Sequence, residues 1–336
     1  MRQRALGAAS VTAIGCGDVS LAAAGARGIA GRDVERALHE ALDLGLSVVD
    51  VHDEEAAELL VASAVRSLRL RDRVVIATRI PLVAELPWQK KRDLLPERLP
   101  ARYLQERVES TLRTTRLDAL PLVQLPLHTT WKASSAWPEL AGTCLRLVRE
   151  GKVLAWGAIL DDLEEPTLVD EPWLAAIALT YSLCDRRLEP LLAAATAKKL
   201  AVLARAPLGG GALTGLLGPG VKLALHDDRR ALDAATLDRI AVIAATLAPF
   251  VRREPPSARA CDPARAILER GQRPAHVECT TLAELALRFV IDREAIALPR
   301  LHRREHLGEA LLAADAPPLS PDLLARLLDE KLAVAS

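Results

Sequence analysis

Short aliphatic runs alternate with amphipathic stretches along almost the whole of this 336-residue chain. The runs are Val11–Gly15, Ser47–Asp50, Val74–Thr78, Leu122–Leu125, Val153–Gly157, Ala175–Leu179, Ala201–Ala204 and Ala295–Leu298. A run that is apolar throughout, without in-out alternation, fits a strand buried on both faces, as in a parallel sheet covered by helices. Between the runs, apolar residues recur at helical period over Val34–Leu44, Ala56–Leu68, Ala101–Arg116, Trp137–Arg149, Arg187–Lys199, Leu232–Phe250, Leu282–Ile291 and Arg304–Ala313. A tail helix is expected at Pro321–Lys331, and Leu160–Trp173 is poorly patterned. Eight such units in a chain of this length match a (β/α)8 barrel better than an open doubly wound sheet. An open dinucleotide fold would carry GxGxxG after its first strand, and Gly15-Cys16-Gly17-Asp18 lacks the third glycine. The expected class is α/β, a TIM barrel in one domain over residues 1–336. Two excursions, 81–100 and 252–277, exceed ordinary loop length.

Composition narrows the partners. Forty-four basic residues balance 44 acidic ones and the isoelectric point is near 7.1, which argues against a broad nucleic-acid or anionic-membrane surface. No apolar run reaches the ~18–20 residues of a membrane helix. The segment Met1–Gly7 lacks the apolar core of a signal peptide. A cytoplasmic protein that binds neither nucleic acid nor membrane is expected. The five cysteines are dispersed with no CxxC pair, a pattern of reduced thiols; Cys16 and Cys184 read as small buried apolar residues rather than nucleophiles. With five Trp, two Tyr and two Phe in all, Leu, Ala and Val must build the core.

Six motifs, in order, resemble the aldo-keto reductase superfamily. They are Ala41–Asp50 (ALDLGLSVVD), Arg73–Arg79 (RVVIATR), Glu150–Val153 with Gly157, Thr180–Arg186 (TYSLCDR), Pro207–Gly215 (PLGGGALTG), and the ending Ala297–Pro299 through Glu305–Glu309. Arg4–Gly7 followed by Val11–Gly17 is similar to that family's N-terminal hairpin and first strand. The resemblance implies a barrel with a hairpin cap and an extra C-terminal helix, and by default NADP(H)-dependent carbonyl reduction. The family works with an aspartate, a tyrosine that gives the proton, a lysine that lowers the tyrosine's pKa and a histidine that orients the substrate. Asp50 is present, the tyrosine position falls at or near Glu55, the lysine is Arg79, and the histidine is Pro126 with His128 two residues on. The tetrad is degenerate. The carboxamide-binding positions fall on Ile159, Leu160 and Ala178, and the adenine-contacting asparagine on Ala310, leaving Tyr181 to stack on a ring. The phosphate side is better kept. The turn Leu208–Gly211, with Gly209 and Gly211, lets backbone N–H groups approach a pyrophosphate, and Arg300, His302, Arg303 and Arg304 fall where the family holds the 2′-phosphate, with Glu309 a further cofactor-binding candidate.

Arginine cannot relay a proton, although it can hold Asp50 in a bidentate pair. Loss of one preorganised donor to a developing oxyanion costs about 2.7–4 kcal/mol. Loss of donor, activator and orienter together abolishes ordinary reduction.

Several residues keep two readings at this level. His52–Glu55 is either an acid/base or metal site, with Glu55 beside Asp50 as the acid, or a solvated helix N-terminus. Arg79 with Asp50 is either a structural salt bridge or an anion clamp. His128 with Thr129, Thr130 and Trp131 lines a pocket or an exposed loop. Arg205 reaches the mouth or pairs with an acid such as Asp161. Lys90-Lys91-Arg92 is a solvated loop or a docking site. Three functions follow. The leading expectation is a pseudoenzyme that binds a small molecule or a protein partner. The second is altered chemistry from Asp50, Glu55 and Arg79, and the third an NADP(H) oxidoreductase with His128 as orienter.

Overall fold

Eight parallel strands close into a barrel in the computed structural model, which describes residues 1–83, 95–161, 166–251 and 279–330. A hairpin comes first, β1 (Gln3–Leu6) paired antiparallel with β2 (Ala9–Thr12). The barrel strands are β3 (Cys16–Val19), β4 (Val48–Val51), β5 (Val75–Arg79), β6 (Leu122–Pro126), β7 (Trp156–Ile159), β8 (Leu174–Thr180), β9 (Ala201–Arg205) and β10 (Ile296–Leu298), bonded in chain order. The helices are α1 (Leu21–Ala26), α2 (Gly31–Asp43), α3 (Glu55–Ser67), α4 (Leu95–Arg98), α5 (Ala101–Thr115), α6 (Trp137–Arg149), α7 (Glu189–Ala197), α8 (Ala234–Leu247), α9 (Leu282–Asp292), α10 (Arg304–Asp315) and α11 (Pro321–Asp329).

Closure happens between the first and last barrel strands. The amides of Gly15 and Gly17 donate to the carbonyls of Ala297 and Pro299 at 2.9 and 2.8 Å, and Ala297 N–H donates back to Ala13 at 3.0 Å. A Cβ on Gly17 would stand 2.0 Å from the Leu298 carbonyl oxygen, and one on Gly15 would stand 2.6 Å from that of Val48. Of the glycines that fail to make a dinucleotide motif, Gly17 therefore lets the seam close and Gly15 lets the chain pass close to β4.

The aliphatic strands divide their side chains between two cores. Val48, Val75, Leu122, Ala176, Ala201, Leu203 and Ile296 pack inside the barrel, and Leu6 and Val11 of the hairpin join them, plugging the end where the strands begin. Arg2 pairs with Asp292, and Arg4 donates to the Ile291 carbonyl at 2.8 Å, so the plug is pinned to the end of α9. The second core lies between strands and helices. The additional helix α11 buries Leu323 and Leu327. Arg186 donates to the carbonyls of Leu328 and Glu330 at 2.8 Å, and Arg326 lies 4.7 Å over the Phe250 ring. Among the described residues no helix is long and apolar enough to cross a membrane.

The expected strand Val11–Gly15 is corrected. Its first residues belong to the hairpin, because Thr12 pairs with Gln3, and the barrel strand begins at Cys16. The seventh strand in chain order likewise starts at Trp156; Val153 makes a single bridge to Leu120 instead. Of the two excursions, 252–277 and most of 81–100, including Lys90-Lys91-Arg92, lie outside the described residues.

Two outcomes test this packing. Gly17→Ala is expected to lower the melting temperature sharply or block folding, whereas Gly142→Ala in α6, where a Cβ meets nothing within 4 Å, should gain roughly 0.5–1 kcal/mol. A Gly17→Ala protein melting with the parent would refute the seam argument. Glu58 on α3 is buried beneath α5, where the Thr111 hydroxyl donates to it at 3.5 Å, and burial pushes its carboxyl up from 4.5 to about 7. The folded chain therefore holds this proton between pH 4.5 and 7 while the unfolded chain has released it, so stability falls with rising pH across that window and is flat above it. Glu58→Gln should flatten the fall and raise the melting temperature at pH 8 by about 2–4 °C. Parallel melting-against-pH curves for the two proteins would contradict this.

Candidate functional site

Every barrel strand ends at one rim, and charge has collected there. Asp50 on β4 is 1 % exposed. Its carboxylate accepts from Gln124 Nε2 of β6 at 2.7 Å, from the Asp18 amide at 3.1 Å, and from Arg79 of β5 through Nε (3.4 Å) and a terminal amine. Arg79 also lies 3.2 Å from an Asp18 oxygen. Burial opposes its charge, and Asp50 and Asp18 outweigh burial and raise its pKa further. This guanidinium is permanently charged and tied on both sides.

Asp18 is the hub of the rim. It takes a left-handed backbone (φ 48°), which costs a non-glycine residue about 1 kcal/mol. Besides Arg79, its carboxylate accepts from Arg300 Nε at 2.8 Å and from a terminal amine of Arg300, and it stands 3.1 Å from His52 Nδ1. Burial works against the ionised form. The His52 hydrogen bond and the charges of Arg79 and Arg300 win, holding the carboxyl well below the usual range. The bond to Asp18 in turn raises the His52 pKa, and His52 Nε2 lies 3.1 Å from Asp53. His302 is buried just behind, its pKa pushed down to about 4 by burial and by Arg300.

A cavity of about 700 Å³ opens over this rim. Asp18, Asp50, Arg79, Thr180, Arg205 and Arg300 line its floor, and Leu208, Gly210 and Gly211 one wall. Gly209, Gly210 and Gly211 have φ of 55, 66 and 109°, which turns their backbone in a way side-chain-bearing residues avoid. A Cβ on Gly211 would stand 3.1 Å from the Arg229 guanidinium, which is itself forked onto Asp227 at 2.7 and 2.9 Å. Arg27 at the end of α1 reaches Asp228 at 3.2 Å across the cavity's edge. Thr280, Thr281, His306 and Glu309 line the far end, where burial raises the Glu309 pKa.

The structure brings together only part of the set expected from sequence. Asp50, Arg79, Leu208, Gly211, Arg300 and Glu309 line the cavity, and Gly209 completes the glycine turn, packed against Cys184. Glu55 is exposed on the first turn of α3 and lines nothing. Its neighbour Glu54 accepts from Ser20 Oγ (2.8 Å) and the Leu21 amide (3.0 Å), capping α1, so the acidic cluster divides between a cap and a histidine partner. His128 is buried edge-on to Trp131, with ring centroids 5.5 Å apart, outside the cavity lining. Tyr181 is fully buried and stacked on Phe289 at 6.0 Å, its phenol pushed up to about 12 by burial; Thr180 faces the cavity in its place. His302 lies beneath the lining, Arg303 is exposed at the start of α10, and Arg304 donates to Glu40 at 2.8 Å on the surface. Arg205 both lines the cavity and pairs with Asp161. Asp18, Gln124, Arg27 and Arg229 escaped the sequence reading. Asp18 and Gln124 carried a signal, a polar residue at or within the end of an aliphatic strand. Arg27 and Arg229 sit in loops that no periodicity marks. Among the described residues no group of three or more His, Cys, Asp or Glu could hold a metal.

A model of the aldo/keto reductase family matches residues 13–331. No curated relative matches the chain. Among solved structures, the fold is similar to an aldo/keto reductase from Klebsiella pneumoniae in complex with NADP and acetate (23 % identity, 97 % of this chain and 93 % of that chain, TM-score 0.63). It is similar also to an aldo-keto reductase from Bacillus halodurans in its holo form (20 % identity, 99 % and 96 % covered, TM-score 0.65).

If the rim ion pair is as tightly coupled as its geometry implies, Asp50→Asn and Arg79→Gln should each cost about 3–5 kcal/mol in urea unfolding, and the double variant clearly less than their sum. Strict additivity would show that the two side chains are not a unit.

Proposed function

Because the chain belongs to the aldo/keto reductase family, we propose that its barrel mouth binds a nucleotide, NADP(H) being the candidate its phosphate side fits, without the family's carbonyl reduction. The observation that carries the reading is Arg79, held between Asp50 and Asp18 at the position of the activating lysine. The phenol such a lysine would serve is missing. Tyr181 is packed on Phe289, and Tyr103 donates to the Pro81 carbonyl at 3.0 Å.

When bound, NADPH supplies a hydride. The residues of this chain favour holding such a molecule over using it. The Gly209–Gly211 turn presents backbone next to Arg229, and Arg300 stands across the cavity, so a pyrophosphate and a further phosphate would meet N–H groups and guanidinium charge. At the other end, Ile159, Leu160 and Ala178 are buried aliphatic side chains with nothing to offer a carboxamide, and an amide left unpaired there costs about 1–3 kcal/mol per group. Altered chemistry from Asp50, Glu55 and Arg79 needs Glu55 at the mouth, an NADP(H) oxidoreductase with His128 as orienter needs His128 there, and neither residue lines the cavity. Four described cysteines, all free and buried, accord with a reducing cytoplasmic setting.

Titration with NADPH, followed by tryptophan emission, should saturate. Gly211→Val should weaken binding tenfold or more, and Glu55→Gln should leave it unchanged. No aldehyde-dependent NADPH oxidation should be detectable. Turnover of simple aldehydes that disappears in Asp50→Ala would overturn the loss of chemistry, and failure to bind NADPH would overturn the nucleotide reading.

A further inference from the structure

The arginines of the cavity differ in how firmly their charge is held. Arg79 is shared by Asp50 and Asp18, Arg300 is doubly bonded to Asp18, and Arg229 is forked onto Asp227. Arg205 is held by one terminal amine only, and its partner Asp161 is an exposed carboxylate, 58 % accessible, on the loop after β7. Its Nε–H is shielded from solvent and meets no acceptor among the described residues. A guanidinium presents Nε and a terminal amine as a planar fork, and here half of the fork is unmatched. Arg205 closes β9 in register with Thr180 of β8, and both side chains face the cavity.

We propose that Arg205 is a carboxylate-binding residue: the ligand that enters the mouth carries a carboxylate, which displaces Asp161 and takes Arg205 through both arms of its fork. Asp161 is a placeholder, free to swing into water when displaced. Charge favours a carboxylate over a phosphate at this point. The other rim arginines are already neutralised by Asp18, Asp50 and Asp227, so a monoanion replacing Asp161 keeps the rim balanced, whereas a dianion would face Asp18 and Asp50 with one negative charge in excess. The geometry allows it, because the two coplanar oxygens of a carboxylate match the fork. The inference rests on the cavity being a ligand site, and not on a nucleotide being the ligand.

Pyruvate and inorganic phosphate serve as probes, with binding followed by ligand-observed NMR on the full chain, without NADPH and again with it. Pyruvate should bind the parent protein, bind Arg205→Gln at least tenfold more weakly, recover partly in Arg205→Lys, and bind several-fold more tightly to Asp161→Asn. Melting curves check that each variant is folded, and Arg205→Lys keeps the test sound if Arg205→Gln is not. Parent-like pyruvate binding in folded Arg205→Gln, or no gain in Asp161→Asn, would overturn the proposal. So would phosphate binding more tightly than pyruvate through Arg205, which would assign the residue to a phosphate. If this pattern holds while NADPH fails to bind, only the nucleotide reading falls.

Discussion

A carboxyl group that is 1 % exposed at the rim of a parallel barrel must be met by charge and hydrogen bonds, because burying it without partners is costly. Asp50 is met from three sides, by Arg79 of β5, Gln124 of β6 and the amide of Asp18 at the end of β3. Those elements are consecutive neighbours in the sheet, β3 to β6, and the seam that joins β3 to β10 depends on the absence of a side chain at Gly17. The seam also brings Arg300, just past β10, onto Asp18. Strand register, seam and charge at the mouth are thus one arrangement, in which a change at any member is felt by the rest.

The periodic elements were legible because burial on both faces forces continuous aliphatic runs, and those runs are local. The helices of the barrel were found within a residue or two at most ends for the same reason. What misled was a run that two structures compete for. Val11 and Thr12 are apolar enough for a barrel strand, but antiparallel pairing to Gln3 and Arg4 claims them for the plug. At the site, Asp50, Arg79 and the glycine turn could be read from motif and chemistry. Tyr181 could not, because a tyrosine directly after a strand faces either the mouth or the helical layer, and only packing on Phe289 decides. Glu54 and Glu55 differ by one position and have opposite fates, one capping α1 and the other in solvent. No sequence pattern separates them.

The cavity is rich in arginine yet close to neutral, since Arg27, Arg79, Arg205, Arg229 and Arg300 each have an acidic partner. An anionic ligand therefore gains its full electrostatic benefit only by displacing a carboxylate. The cost of that exchange depends on where the displaced acid goes. Asp228 and Asp161 are largely exposed and lose little, whereas Asp18 and Asp50 would be stranded in a low-dielectric rim. Exchange is therefore cheaper at Arg27 and Arg205, whose partners are exposed, than at Arg79, Arg300 and Arg229.

That asymmetry bears on chemistry as much as on binding. A lysine at the Arg79 position would be a compact charge able to tune a nearby phenol. Arginine is charged at any pH the fold survives, and its planar fork is used up on Asp50 and Asp18. A tyrosine in place of Glu55 would stand on the exposed first turn of α3, outside the cavity, and so would restore no proton donor at the mouth. At the centre of the mouth Arg79 is clamped between Asp50 and Asp18, whereas Arg205 is held by one terminal amine on an exposed carboxylate.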